Sequence, residues 1–235
     1  RNPCVAWMTT KNKMITIKLQ GGLCNYLRVL FSYYKYARSL NSELNVIWMK
    51  TNSCPGFFLD YFEPIPHVNF KYNVGQGIKI DYNTCITHPK YNYSYEKLKL
   101  KPFLKKIVSD KLYILNNNYI SVHIRRTDHI GVAKQNGCYS DDDEYINFIN
   151  KSNNNKNIYI ATDNEKTYNK FKQKYPNRIK FDYHKTNNNR LRKTSLQDAI
   201  VDIYVCVDSD DFMGSGYSSF TQTIRTIRKA GFVHR

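Results

Sequence analysis

The chain has no apolar run near the roughly 18–20 residues that cross a bilayer, and no signal peptide is visible in it. These absences lead us to expect a cytoplasmic protein with no membrane span, or one of the secretory-pathway lumen if the sequence is part of a longer chain. The six cysteines are Cys4, Cys24, Cys54, Cys85, Cys138 and Cys206, and no two form a C-x-x-C. Nearby histidines complete no zinc spacing, so we expect no metal. The even count allows disulfides and requires none. Cys206 falls on the apolar face of a helix and reads as a core thiol. Acidic residues are scarce: 19 Asp and Glu stand against 36 Lys and Arg, a net charge of +17 over 235 residues. That balance suits an anionic partner, whether nucleic acid, acidic glycan, membrane surface or phosphorylated substrate. It also suits a generally basic, soluble surface.

What is present is enough for one large domain or two small ones. "MITIKL", Met14–Leu19, alternates like a strand, and a Gly-Gly turn leads into a helix from Asn25 to Leu40. Leu44–Trp48 reads as the next strand, giving the β-loop-α-β unit of a parallel sheet. Residues 52–101 show no clear pattern. Pro102 opens a helix, and the domain boundary is placed there, with an N-terminal α/β domain over 14–105 and a C-terminal one over 106–230. Tyr119–Ile124, Asn157–Ala161, Ile179–Phe181 and "DFMG" read as strands. Ser140 and Ser195 cap helices, another runs from Glu165 to Tyr175, and a last one carries Phe220, Ile224 and Ile227. Strands alternating with helices give an α/β class, and ligands of such folds sit beyond the carboxyl ends of the strands.

Five stretches carry candidate chemistry. In "LQGGLCNYLR", Gly21 and Gly22 allow a sharp turn, and the helix behind it offers N–H groups to an anion. It lacks both the P-loop and the dinucleotide spacing of glycines, so a plain βα turn competes. "HIRRTD" brings Arg125 to a strand end, where its planar guanidinium can grip a phosphate in two places. His123 could meet a base or ribose and Asp128 could orient an arginine; an Arg–Asp pair beside a core histidine is the bland reading. Asp163 in "IYIATDN" either serves the site or belongs, with Asn164, to a helix cap. Asp208-Ser209-Asp210 resembles a metal-binding D-x-D, but it precedes a strand rather than following one and reads as a solvated acidic turn. Beyond it, Gly214, Gly216, Ser218 and Ser219 offer donors to a phosphate. Finally, "KYNYSYEKLKLKPFLKK" mixes basic and aromatic residues as single-strand nucleic-acid platforms do, or forms a solvated loop and helix face.

"VHIRRTD", "ATDN", "RKTSLQDAIVDIYVC" and "SSF" resemble, in that order, motifs of the α1,6-fucosyltransferases and their nodulation relatives. H-x-R-R-x-D is shared with α1,2- and protein O-fucosyltransferases, and "GGLCNYLR" resembles the glycine-rich first motif of that clan. The resemblance implies a GT-B-like architecture, two Rossmann-like α/β domains across a cleft. It implies an inverting transfer of fucose from GDP-fucose to a hydroxyl of a glycan or protein, with no metal and no other cofactor. Arg125 would hold the β-phosphate, and Arg126 and Asp128 the loop. His123 and Asp202 would contact the guanosine, and Ser218 or Ser219 the phosphates. Gly21, Gly22, Asn25, Arg28 and Asp163 complete the expected donor site. The α1,6 enzymes carry a Lys and a catalytic Glu where this chain has His129 and Ala133, so their linkage does not follow and His129 becomes the candidate base. A transferase using another nucleotide-sugar is one alternative, and a basic nucleic-acid-binding protein on a decayed transferase fold is the other.

Overall fold

In the computed structural model, residues 14–127, 130–184 and 194–231 are described. β1 (Met14–Leu19) runs through Gly21 and Gly22 into α1 (Leu23–Ser39), and β2 (Glu43–Ile47) returns parallel to β1. Gly21 has φ 96, a left-handed value that favours glycine. α1 starts at Leu23 rather than Asn25, because the extended Gly22 serves as its N-cap and Leu23 and Cys24 are buried. The patternless stretch holds a single turn, α2 (Phe58–Tyr61), and two short strands, β3 (Val68–Lys71) and β4 (Tyr82–Thr84). These strands flank the pair already formed, giving a parallel sheet of order β3-β2-β1-β4.

After α3 (Pro102–Ile114) comes β5 (Tyr119–Ile124), buried at every position. α4 (Ile130–Gln135), α5 (Asp142–Lys151), β6 (Asn157–Thr162), α6 (Glu165–Lys174), α7 (Leu196–Asp208), β7 (Asp211–Gly214) and α8 (Ser219–Lys229) follow. β5 lies between β6 and β7 in a second parallel sheet. Its side chains alternate between two cores, as a pleated strand requires. Ile120, Val122 and Ile124 pack with Tyr145 of α5 and Phe171 of α6. Tyr119 joins the larger core, which also holds Ile200 and Tyr204 of α7 and Ile224 and Ile227 of α8.

That larger core spans both sheets, with Ile15, Ile17 and Leu30 in it as well. A division at 105/106 falls inside α3, whose buried Leu104, Val108 and Leu112 join the same core. We propose the two-part division from the two sheets rather than from any gap between cores. Two expected details change. Asp141, not Ser140, caps α5, its carboxylate accepting from Glu144 N at 2.9 Å; an ionised oxygen complements the helix end better than a hydroxyl. The strand expected at Ile179–Phe181 reduces to one bridge, Ile179 with Ile158, while Tyr168 and Lys172 bind the Phe181 carbonyl from α6. Cys206 is fully buried on α7, as a core thiol. No helix among the described residues is long and apolar enough to cross a membrane.

Candidate active site

The strand ends of both sheets open into one cleft of about 900 Å³. From the first half come Gly22, Asn25, Arg28 and Ser53; from the second come His123, Arg125, Asp163, Asp202 and the run 215–222. The alternation of β5 continues past its end and explains the paired arginines. His123 and Arg125 face the cleft, while Ile124 and Arg126 face α5. Arg126 Nη2 donates to Asp142 Oδ1 at 2.9 Å, and the guanidinium lies over the rings of Tyr139 and Tyr145. Arg126, expected to hold this loop beside the donor ligands, lies outside the main cleft and braces the loop from behind. Burial pushes the Asp142 carboxyl upward, but the hydrogen bonds and charges of Lys170 and then Arg126 together hold it below the usual carboxylate range.

The loop after β5 is fixed through its backbone. Asp163 accepts the amides of Arg126 at 2.8 Å and Thr127 at 3.3 Å, and the Thr127 hydroxyl as well. Ser215 Oγ accepts from Arg125 N at 2.9 Å and exchanges a hydrogen bond with Tyr145 Oη at 2.8 Å. The Arg125 guanidinium is thus carried by a backbone tied to β6 on one side and β7 on the other. Asp163 lines the cleft and serves as the splint for this loop, a role neither reading of "ATDN" had given it; the helix cap is Asn164 alone.

Two helix N-termini open on the cleft. α1 begins with Gly22, Leu23 and Cys24 on its wall, and α8 begins with Ser218, Ser219 and Phe220 there. Ser218 caps α8, accepting from Thr221 N. Helix N-termini direct amide dipoles outward and attract anions. Arg28 also lines the cleft; its Nη2 donates to Cys85 O at 3.2 Å, and its buried Nε has no partner among the described residues. Asp202 accepts the Tyr159 hydroxyl at 2.5 Å. Burial, and then Asp202 itself, push that phenol well above its ordinary range, so it stays a donor.

His123 Nδ1 lies 2.8 Å from Thr221 Oγ1, and the ring stacks on Phe220 at 4.5 Å. Nε2 is the ring nitrogen left to meet a ligand. Burial, and then the charge of Arg125, lower its pKa to about 3. An unfolded histidine titrates near 6.5. Between these values the unfolded chain holds a proton that the fold refuses, so stability rises with pH from about 3 to about 6.5. The expected slope is at most about 1.4 kcal/mol per pH unit. Urea unfolding at pH 7 and pH 5 should show a smaller difference for His123→Gln than for the parent; equal differences would remove His123 as the cause.

Some expected residues lie elsewhere. Asp128 and His129 are outside the described residues. Asp208 and Asp210 stand at the opposite end of β7 from the cleft, and Asp210 pairs with Lys156 at 2.9 Å. Gly21 precedes the lining residues and shapes the turn. Within the Tyr/Lys segment Tyr95, Leu98 and Leu100 belong to the core rather than the surface, and Tyr95 Oη reaches Thr223 Oγ1 at 3.3 Å. Residues the motifs did not single out include Tyr217, Thr221 and Arg225. Ser218, Gln222 and Arg225 follow the i, i+4, i+7 line of one helix face, so that signal was legible once the start of α8 was known.

A model of the GDP-fucose protein O-fucosyltransferase family matches residues 18–230. A sequence search of curated proteins gives no match. Among solved structures, the chain is similar to NodZ α-1,6-fucosyltransferase co-crystallised with GDP. The identity is 15% and the TM-score 0.63, over 92% of this chain and 92% of that one. Fucosyltransferase NodZ from Bradyrhizobium aligns at 14% identity and TM-score 0.63, over 92% of this chain and 93% of the other. NodZ α-1,6-fucosyltransferase soaked with GDP-fucose gives 14%, 0.63 and 92% of each chain. The likeness in these structures is one of fold, the α/β GT-B arrangement of parallel sheets about a cleft.

Proposed function

The chain belongs to the GDP-fucose protein O-fucosyltransferase family and is a fucosyltransferase using GDP-fucose, and we propose that it inverts the anomeric carbon, needs no metal, and delivers fucose to a hydroxyl of a glycan or protein. The observation that carries this reading is the convergence of Arg125 and the N-termini of α1 and α8 on one cleft. The acceptor oxygen forms a bond to the anomeric carbon as the bond from that carbon to the β-phosphate oxygen breaks. GDP leaves with the bonding pair and gains negative charge. A fixed guanidinium and preorganised amides stabilise that charge without rearranging during the step. Asn25 and Arg28 line the same cleft and complete the donor site on this reading. The acceptor's proton needs a base. Asp163 and Asp202 line the cleft, but each carboxylate already accepts hydrogen bonds that position a loop or a tyrosine. We assign the base on sequence grounds to His129, because imidazole is the side chain whose ordinary pKa lies closest to neutral pH.

The test is calorimetry followed by turnover. GDP and GDP-fucose should bind in the micromolar range, about −7 to −8 kcal/mol, and more tightly than UDP-sugars. Transfer or slow donor hydrolysis should persist in EDTA. Activity abolished by the chelator and restored by manganese would refute the metal-independent step. A preference for UDP-sugars would refute the donor.

A further inference from the structure

We propose that Tyr145 is a positioning residue for the transfer: its hydroxyl, acting through Ser215, fixes the backbone from which Arg125 meets the departing diphosphate. The inference rests on the donor reading above and adds to it a residue of α5 that stands outside the cleft. Tyr145 is wholly buried. Its ring packs in the smaller core with Ile124 and Phe171, and the Arg126 guanidinium lies over it at 5.6 Å. Packing alone would be served by a phenylalanine. A buried hydroxyl has to find a partner or it costs stability, and this one finds the loop of the site. Tyr145 Oη lies 2.8 Å from Ser215 Oγ and 3.3 Å from the His123 carbonyl oxygen.

Ser215 is the joint between the two strands that carry this loop. Its amide continues the β5–β7 pairing past Gly214, donating to His123 O at 2.9 Å. Its Oγ accepts from Arg125 N at 2.9 Å and lies 3.2 Å from the same His123 oxygen. Two arrangements of protons satisfy the set. Either Tyr145 donates to Ser215 and Ser215 to His123 O, or Ser215 donates to Tyr145 and Tyr145 to His123 O. In both, the serine proton is committed and Oγ keeps a lone pair for the Arg125 amide. Without the Tyr145 hydroxyl, only the longer bond to His123 O sets the direction of that serine. Burial raises the Tyr145 phenol above its ordinary range, so it keeps its proton at neutral pH. One side chain thus serves both arginines, its ring under Arg126 and its hydroxyl, through Ser215, on the backbone of Arg125. A guanidinium that meets developing charge gains from such anchoring, since preorganised donors do not rearrange during the step and small misplacements are costly.

The test compares Tyr145→Phe with Tyr168→Phe. Each removes one hydroxyl from a tyrosine of the same core; Tyr168 Oη donates to Phe181 O at 2.7 Å, and neither of those residues lines the cleft. Turnover is followed as GDP released from GDP-fucose, and GDP affinity by calorimetry. Tyr145→Phe should lower kcat about five- to tenfold, the scale of one hydrogen bond. Its KM for GDP-fucose and its GDP affinity should stay within about twofold of the parent's. Tyr168→Phe should keep kcat within about twofold, and both variants should lose only a few degrees of thermal midpoint. In the Arg125→Lys background, Tyr145→Phe should cost less than about twofold more, because the hydroxyl acts through the arginine. Parental kcat in Tyr145→Phe, or full additivity with Arg125→Lys, would overturn the inference. So would an equal loss of kcat in Tyr168→Phe, or a loss of GDP affinity as large as that of kcat, since either marks a general loosening of the fold. A parent protein that binds neither GDP nor GDP-fucose would overturn the donor reading itself.

Discussion

Arg125→Lys is expected to lower turnover at least ~100-fold, nearly as far as Arg125→Ala, the scale seen when one preorganised donor is removed from a transition state. The backbone amide bond of this residue to Ser215, which anchors the loop, is kept in either variant. Lysine keeps the charge but replaces a planar fork by a single mobile ammonium. The diphosphate gains charge only as the sugar departs, so the loss should fall mainly on kcat and less on GDP affinity. Donor turnover and GDP calorimetry on the same samples would show this split. Near-parental turnover in the lysine variant would reduce Arg125 to a structural role. Arg126→Ala provides the contrast. It leaves Asp142 short of its buried partner and should lower the thermal midpoint.

Gly216→Ala is expected to weaken GDP binding by more than about tenfold and to lower the thermal midpoint as well. A Cβ at this position would lie 2.2 Å from Cys138 O and 2.8 Å from Cys138 Cβ. The obstacle is backbone, so no side-chain rotation relieves it, and the cost is that of overpacking, about 1–3 kcal/mol. The loop must retreat, and it carries Ser218 and the first amides of α8 with it. Gly131→Ala is the control, since among the described residues nothing lies within 4 Å of its added carbon. Calorimetry and thermal unfolding of the two variants decide the matter. If Gly216→Ala behaves like Gly131→Ala, the loop moves without cost and is not part of a rigid anion site.

Much of the second half was legible because its residues answer to local rules. β5 is a short apolar run, Ser195 caps α7 through a reciprocal box with Asp198, and Asp141–Glu144 mark a helix start. The first half beyond β2 was not. β3 and β4 have only four and three residues, too few to show a period, and they are held by pairing to β2 and β1. The Ile179–Phe181 stretch misled for the opposite reason: its apolar alternation serves packing under α6 instead of a ladder.

By itself the sequence determined the α/β class, the glycine-rich turn, and the delivery of Arg125 to a strand end, because each depends on neighbours a few residues apart. The adjacent arginines leave β5 on opposite faces, as the pleat requires. Only the tertiary structure decided what each face meets. Arg126 meets Asp142 of α5, and Arg125 meets the cleft where α1 and α8 point their N-termini. Those partners lie far away in the chain. Their meeting depends on two sheets sharing one core, which no local pattern encodes.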